Sequence, residues 1–100
     1  MGIIRQGSAR PRVAAVVPTY RPGDEVPHHM RELISQVDAL YVVDDGSGPA
    51  AERVLAEVES AGARIIRLDR NRGIAAALNA GVRQALADGA DYVVNTDQDT

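Results

Sequence analysis

Four short apolar runs, rich in Val and Ile, alternate along the chain with three longer stretches of helical period. The runs are Val13–Val17, Leu40–Val43, Ile65–Leu68 and Tyr92–Val94. Near-continuous apolar segments of this kind are typical of strands buried on both faces of a parallel sheet. The order β-α-β-α-β-α-β requires right-handed crossovers between parallel strands. We therefore predict an α/β fold with a parallel sheet of about four strands and helices on both faces.

The three intervening stretches each place apolar residues on one face of a helix. They span Val26–Val37, Ala51–Ala61 and Ile74–Leu86. Asp24 is a candidate N-cap for the first helix and Asn71 for the third. Gly62 and Gly89 follow the second and third stretches, where glycine commonly ends a helix. These signals predict three helices, one in each crossover.

The residue types that are missing exclude several kinds of site. The chain has 100 residues and a net charge of −3, which describes one globular unit of modest size. It contains no cysteine, so disulfides, thiol nucleophiles and cysteine-bound zinc are excluded. All 11 basic residues are arginine, which excludes a P-loop lysine and a Schiff-base lysine. The acidic balance argues against nucleic acid as a partner.

No apolar run approaches the ~20 residues that a transmembrane segment needs. The N-terminus also lacks the apolar core of a signal peptide. These two observations predict a cytoplasmic protein, or one at the inner face of the membrane. We interpret residues 1–11 as a flexible N-terminal segment, and His28 and His29 as solvated surface residues.

Polar residues gather where the four predicted strands end, and ligands of open parallel sheets bind at that edge. The four exits are Pro18-Thr19-Tyr20, Asp44-Asp45-Gly46-Ser47, Asp69-Arg70-Asn71-Arg72-Gly73 and Asp97-Gln98-Asp99. Singly, each exit fits ordinary turn or capping chemistry, and Tyr20 fits a partly buried anchor. Together the carboxylates repel one another unless a cation or a donor-rich ligand offsets their charge. The combination favours a cation site.

Two other functions are compatible with the same pattern. The segment Gly46–Ala51 matches the glycine-rich turn of a dinucleotide-binding fold, and Asp69 lies where such a fold places its ribose acid. Asp44 and Asp45 would repel the pyrophosphate of that ligand, and Pro49 lacks an N–H donor. A non-catalytic α/β interaction domain would also explain the sheet, but not its acidic edge. A receiver-type phosphorylation domain would need a lysine, which the chain lacks.

Four segments in order resemble the start of a family 2 glycosyltransferase, and more narrowly its rhamnosyltransferase branch. They are Val16–Pro22, Val42–Ser47, Asn71–Gly81 and the Asp-x-Asp motif Asp97–Asp99. The resemblance extends from Val13 to Thr100. It implies that residues 12–100 are the nucleotide-sugar-binding half of a truncated GT-A domain, which has a Rossmann-like sheet.

The resemblance also implies an activity: transfer of a sugar, rhamnose in the narrower comparison, from a dTDP- or UDP-sugar to a glycan or lipid-linked acceptor. This is a reaction of cell-wall polysaccharide biosynthesis. The implied cofactor is Mg²⁺ or Mn²⁺, both of which accept carboxylate and diphosphate oxygens as ligands. The implied nucleotide-binding residues are Pro18, Thr19, Tyr20, Asp45, Arg72, Gly73 and Asp97, and the implied metal ligands are Asp99 and Asp97.

Individual roles follow from position in the motifs. Tyr20 is implied at the base, Asp45 as an acceptor for a ring N–H of the base, and Asp97 at the ribose. The family's general base and acceptor pocket are expected beyond Thr100. We therefore expect this chain to bind a donor without transferring its sugar, and residues 97–100 to be disordered.

Overall fold

The four predicted strands form one parallel sheet. A computed structural model describes residues 10–97, and its elements in chain order are β1 Val13–Thr19, α1 Val26–Ile34, β2 Ala39–Asp44, a 3-10 turn Pro49–Ala51, α2 Glu52–Ser60, β3 Arg64–Arg67, α3 Ile74–Ala87 and β4 Tyr92–Asn95. The strand order is β3-β2-β1-β4, and every neighbouring pair is parallel. The predicted fold class is confirmed.

The register of the strands brings their exits to the same edge of the sheet. Thr19 at the end of β1 lies opposite Asp44 at the end of β2, and Asp44 in turn lies opposite Arg67. On the other side of β1, Asn95 ends β4 opposite Val16. The loops after all four strands therefore begin within a short distance of one another.

Two apolar layers cover the central strands. Successive residues of a strand point to opposite faces. Ala15 and Val17 therefore pack with helices α1 and α2, whereas Ala14 and Val16 pack with α3. The residues of β1 and β2 are buried apart from the half-buried first residue of each strand. Helices on both faces were predicted, and this layering is what allows the central strands to be apolar up to their last residues, Thr19 and Asp44.

The prediction that all four strands are buried on both faces is wrong for β3 and β4. Arg64 and Arg67 of β3 are exposed, and Tyr92 and Val94 of β4 are 61% and 47% exposed. Within the described residues these two strands lie at the edges of the sheet, where helices cover them incompletely. Residues 1–9 and 98–100 lie outside the described residues, so the predictions of a flexible N-terminal segment and of a disordered end are not tested there. No helix in residues 10–97 is long and apolar enough to cross a membrane.

Both predicted N-caps are also wrong. Glu25 occupies the N-cap position of α1 and Gly73 that of α3, and neither helix has a side-chain capping hydrogen bond. The Asp24 carboxylate instead accepts a hydrogen bond from Arg53, at 2.6 Å. Asn71 lies two residues before the N-cap of α3, in the loop that leads into the helix. The local sequence identified the right region for the start of each of these two helices, but not the residue at the N-cap position.

Helix α3 approaches the sheet closely at Gly81. A Cβ atom added to Gly81 would collide with the methyl groups of Val16 and Val43, on the two central strands. The absence of a side chain therefore sets how near α3 lies to β1 and β2. Because α3 begins at the strand-exit edge, this contact also fixes where its first turn lies.

We expect Gly81→Ala to lower the free energy of unfolding by about 1–3 kcal/mol, because a new methyl group overpacks the helix–sheet contact. Alanine ordinarily stabilises a helix interior by up to about 1 kcal/mol over glycine, so the sign itself is informative. Urea unfolding followed by circular dichroism measures the change. Arg83→Ala, on the exposed side of the same helix, should change stability by less than about 0.5 kcal/mol. A Gly81→Ala variant more stable than wild type would contradict the close approach.

A polar triad lies at the opposite end of the sheet. The hydroxyl of the buried Tyr41 donates to Asp88 Oδ2 at 2.6 Å, and Arg64 donates to the Tyr41 oxygen and to Asp88 at 2.9 and 3.0 Å. The hydrogen bond from Tyr41 is the main reason that the pKa of Asp88 is lowered. The triad ties β2 and β3 to the end of α3.

The lowered pKa of Asp88 has a predictable consequence for stability. A carboxylate favoured by the folded state stabilises it above the unfolded pKa of about 3.9, and this contribution is lost as the pH falls through the lower folded value. We expect Asp88→Asn to be less stable than wild type at neutral pH, with the difference shrinking as the pH is taken below about 4. Urea midpoints from pH 7 to pH 2.5 test this, with Asp91→Asn for comparison. A difference that stays constant with pH would argue against the triad.

Candidate functional site

A cleft of about 370 Å³ lies at the carboxyl edge of the sheet. Its walls come from the exits of β1 and β2, the loop before α3, and the residues that follow β4. We call it the strand-exit cleft, and its lining residues are Pro18, Thr19, Tyr20, Asp45, Asn71, Gly73, Ile74 and Asp97. Every strand exit contributes to this one cavity.

Asp45 joins two walls of the cleft. Its side chain is buried, and its two oxygens accept hydrogen bonds from the backbone N–H groups of Arg72 and Gly73, at 2.7 and 3.0 Å. These are the last two amides before α3, so the carboxylate also lies near the positive end of the helix. A carboxylate offers about four acceptor positions. Two are used here, and the remaining lone pairs are available to a donor in the cleft.

Asp44, although adjacent in sequence, serves the interior. It is buried, and its oxygens accept hydrogen bonds from the Thr19 hydroxyl at 3.1 Å and from the Ser47 hydroxyl and backbone N–H at 2.7 and 2.9 Å. Asp69 forms an ion pair with Arg72 at 3.0 Å, and this hydrogen bond is the main reason that the pKa of Asp69 is lowered.

The prediction that the carboxylates at this edge need a cation to offset their repulsion is therefore wrong for three of them. Asp44, Asp45 and Asp69 are offset by N–H, O–H and guanidinium donors of the chain itself, so their presence at the sheet edge requires no metal. Asp97 is exposed on the cleft, and for this described carboxylate the prediction of a nearby cation still applies. Its partner in the motif, Asp99, lies outside the described residues.

Two exposed hydrophobic side chains give the cleft an apolar character. Tyr20 is 40% exposed and Ile74 is 60% exposed, and both line the cavity. The guanidinium of Arg21 lies over the Tyr20 ring, 5.0 Å from its centroid. A flat aromatic ring and an aliphatic side chain, with a few polar groups between them, suit a planar ring on a small ligand.

Six of the seven residues predicted to bind the nucleotide line this cleft, and Arg72 does not. Arg72 supplies its backbone N–H to Asp45, while its guanidinium turns to Asp69 in a neighbouring groove. Asn71 and Ile74 also line the cleft but were not among the predicted site residues, because Asn71 was assigned to a helix cap and Ile74 to the apolar stripe of the third helix. For Ile74, its position directly after a strand-exit glycine was the available signal.

The two histidines differ from each other. His28 is exposed and lies 3.8 Å from Glu32, as expected for a surface residue. His29 is partly buried, and its Nδ1 has no hydrogen-bond partner among the described residues. The prediction of a solvated surface position is therefore wrong for His29, which lines a groove with Thr96 and Asp97.

The described residues include no group of three or more His, Asp or Glu side chains that could hold a metal ion. A magnesium site in proteins typically uses one or two carboxylates and completes its coordination with substrate phosphates and water. Asp97 suits that kind of site, because it is exposed on the cleft and offers oxygen ligands. Asp44 suits it poorly, because it is buried and its oxygens already accept three hydrogen bonds. Asp45 is also buried, and each of its oxygens already accepts one backbone N–H, so it suits a further donor better than a metal ion.

Gly46 allows the exits of β2 and β3 to touch. Its φ is +74°, and an added Cβ would collide with the backbone of Arg70 and Asn71. Gly48 has a similar φ of +85°, but nothing lies within 4 Å of the position that its Cβ would occupy. The segment Gly46–Ala51 does not line the strand-exit cleft, so its glycines shape a loop contact and a turn.

We expect Gly46→Ala to displace the loop before α3 and to weaken its hydrogen bonds to Asp45. The loss of stability should be about 1–3 kcal/mol, from backbone strain and collision together. Amide hydrogen exchange at Arg72 and Gly73 should accelerate. Gly48→Ala is the control, because it also places a side chain at a positive φ but without the collision, and it should leave those two amides protected. Equal exchange rates in the two variants would exclude the proposed loop contact.

Comparison with known proteins places this geometry in context. Residues 14–100 match the model of the family described as Glycosyl transferase family 2. The dTDP-rhamnosyl transferase RfbF of Shigella flexneri is 35% identical over 89 residues, which cover 88% of this chain and 29% of RfbF. The succinoglycan biosynthesis protein ExoO of Rhizobium meliloti (strain 1021) is 35% identical over 78 residues, which cover 75% of this chain and 22% of ExoO. The matched region is less than a third of either relative.

Proposed function

The chain belongs to glycosyl transferase family 2, and on that premise we propose that its strand-exit cleft binds the nucleotide diphosphate part of a sugar donor. One observation carries the proposal. Residues from all four strand exits, spread from Pro18 to Asp97, line a single cavity that combines an apolar wall with hydrogen-bond acceptors. The same family membership argues against the dinucleotide-binding and interaction-domain alternatives.

The base of the nucleotide would lie between Tyr20 and Ile74. Both side chains are exposed on the cleft, and stacking on Tyr20 would bury apolar surface on both partners. Asp45 would then accept the ring N–H of the base through one of its remaining lone pairs. Uracil and thymine share this N–H, so the interaction suits UDP- and dTDP-sugars equally.

The diphosphate would lie towards Asp97. This carboxylate, together with Asp99, would contact the ribose and hold Mg²⁺ or Mn²⁺. When bound, the metal ion supplies positive charge to the diphosphate as it leaves. The chain's own part is to hold the Asp97 carboxylate at the cleft. Two backbone amides already offset part of the charge of Asp45, which therefore adds little repulsion near the base.

The identity of the sugar rests on the relatives. One is named as a dTDP-rhamnosyl transferase and the other as a succinoglycan biosynthesis protein. We accordingly propose rhamnose as the sugar and a glycan or lipid-linked acceptor, in the synthesis of a cell-surface polysaccharide. We place the general base outside these 100 residues, so that the chain alone binds a donor and does not transfer its sugar.

Titration of the chain with UDP and dTDP, followed by NMR shifts of backbone amides, tests the proposal. We expect shifts at Tyr20, Asp45 and Gly73 in the presence of Mg²⁺, and binding at least about tenfold weaker without it, because an exposed carboxylate then faces a bare diphosphate.

Two variants and a competing ligand complete the experiment. Asp97→Asn should remove most of the dependence on Mg²⁺, whereas Asp69→Asn, an exposed acid outside the cleft, should preserve it. Metal-independent binding of NAD, with shifts centred on residues 46–51, would support the dinucleotide alternative instead. Absence of binding by all three nucleotides would favour an interaction domain.

A further inference from the structure

Arg21 has a backbone conformation that its own side chain disfavours. Its φ is +50°, and it is the only non-glycine residue with a positive φ among the described residues. The left-handed region brings Cβ close to the neighbouring carbonyl, and a residue before proline is normally held at a negative, extended φ. Arg21 precedes Pro22, which is buried. Something in the structure must therefore hold Arg21 in this conformation.

A hydrogen-bond relay supplies that support. The backbone N–H of Arg21 donates to Ser47 Oγ at 2.7 Å, and Ser47 Oγ donates to Asp44 Oδ1, also at 2.7 Å. An ionised carboxylate only accepts hydrogen bonds. Asp44 therefore draws the hydroxyl proton of Ser47 towards itself and leaves a Ser47 lone pair for Arg21. We call this chain of contacts the Asp44–Ser47 relay.

The relay ties down both neighbours of Tyr20. Thr19 donates its hydroxyl to Asp44 at 3.1 Å, and the Thr19 carbonyl accepts the N–H of Asp45 at 2.8 Å. On the other side, Arg21 is held by Ser47 and places its guanidinium over the Tyr20 ring. The backbone on both sides of Tyr20 is therefore fixed by hydrogen bonds, and this contributes to the position of its ring in the cleft.

We propose that Asp44 and Ser47 are positioning residues of the donor site, which hold Arg21 in its left-handed conformation and thereby set the Tyr20 ring against the base. This inference rests on the proposed function for its consequence in binding, and on the geometry alone for its effect on the loop. Neither residue needs to touch the ligand. The strain at Arg21 is localised beside the cleft, as is common at functional sites.

Ser47→Ala removes the acceptor of the Arg21 N–H and tests the relay directly. We expect Mg²⁺-dependent binding of UDP and dTDP to weaken by about tenfold, the value of one lost hydrogen bond that orders the loop. Ser47→Thr keeps the hydroxyl and should bind within about threefold of wild type. Ser60→Ala, at an exposed serine at the end of α2, is the control and should bind as wild type does.

Arg21→Gly separates a positioning role from a general loss of folding. Glycine adopts a positive φ without strain, so the loop no longer needs the support of Ser47. Ser47→Ala combined with Arg21→Gly should bind within about threefold of Arg21→Gly alone. Asp44→Asn should lose only part of its penalty in the Arg21→Gly background, because Asp44 also holds Thr19 directly. Penalties that are the same in both backgrounds would overturn the proposal.

A ligand-free measurement distinguishes failure of the relay from failure of the proposed function. A strong NOE between the Hα and the amide proton of residue 21 reports a positive φ. It should be strong in wild type and lost in Ser47→Ala, with the Tyr20 ring resonances moving in parallel and returning towards their Arg21→Gly positions in the double variant. If UDP and dTDP do not bind the wild-type chain but this NOE pattern holds, the donor function fails and the relay stands. An NOE that is unchanged in Ser47→Ala would refute the relay.

Discussion

The arrangement of the strand-exit cleft depends on the contact between the Asp45 carboxylate and the amides of Arg72 and Gly73. This contact joins the exit of β2 to the loop that starts α3, over a separation of 27 and 28 residues. Without it, the amides at the helix start would need another acceptor. The loop that supplies Asn71, Gly73 and Ile74 to the cleft is thus held by a single side chain from the adjacent strand exit.

The sequence predicted the sheet and its helices because those depend on local patterns. Apolar runs of strand length and stripes of helical period both lie within a few neighbouring residues. The helix starts were predicted less well for the same reason. Asn71 has the right chemistry for a cap at nearly the right place, but the acceptor for the amides before α3 is Asp45, which is distant in sequence. A local capping rule has no means of finding such a partner.

The burial of the strands shows a second limit. The runs Val13–Val17 and Tyr92–Val94 look alike in composition, yet the first lies in the middle of the sheet and the second at an edge of its described part. Strand order depends on which residues pack together across the whole chain. It therefore cannot be inferred from the apolar pattern of one strand. Because parallel strands share one exit edge, whatever their order, the sequence placed the six predicted cleft residues at one edge of the sheet, and the resemblance to family 2 glycosyltransferases implied their role in binding a nucleotide.

Asp44, Asp45 and Asp97 show how one residue type serves three purposes at one edge of a sheet. Asp44 ends β2 and is held by the hydroxyls of Thr19 and Ser47, so its charge stabilises the loop. Asp45 follows β2 and accepts two hydrogen bonds from the loop before α3, which leaves acceptor positions on a carboxylate that lines the cleft. Asp97 follows an edge strand and is exposed. On the proposed function, this gradient from buried to exposed would explain how an edge rich in acids accepts an anionic nucleotide, because hydrogen bonds within the chain offset most of its negative charge.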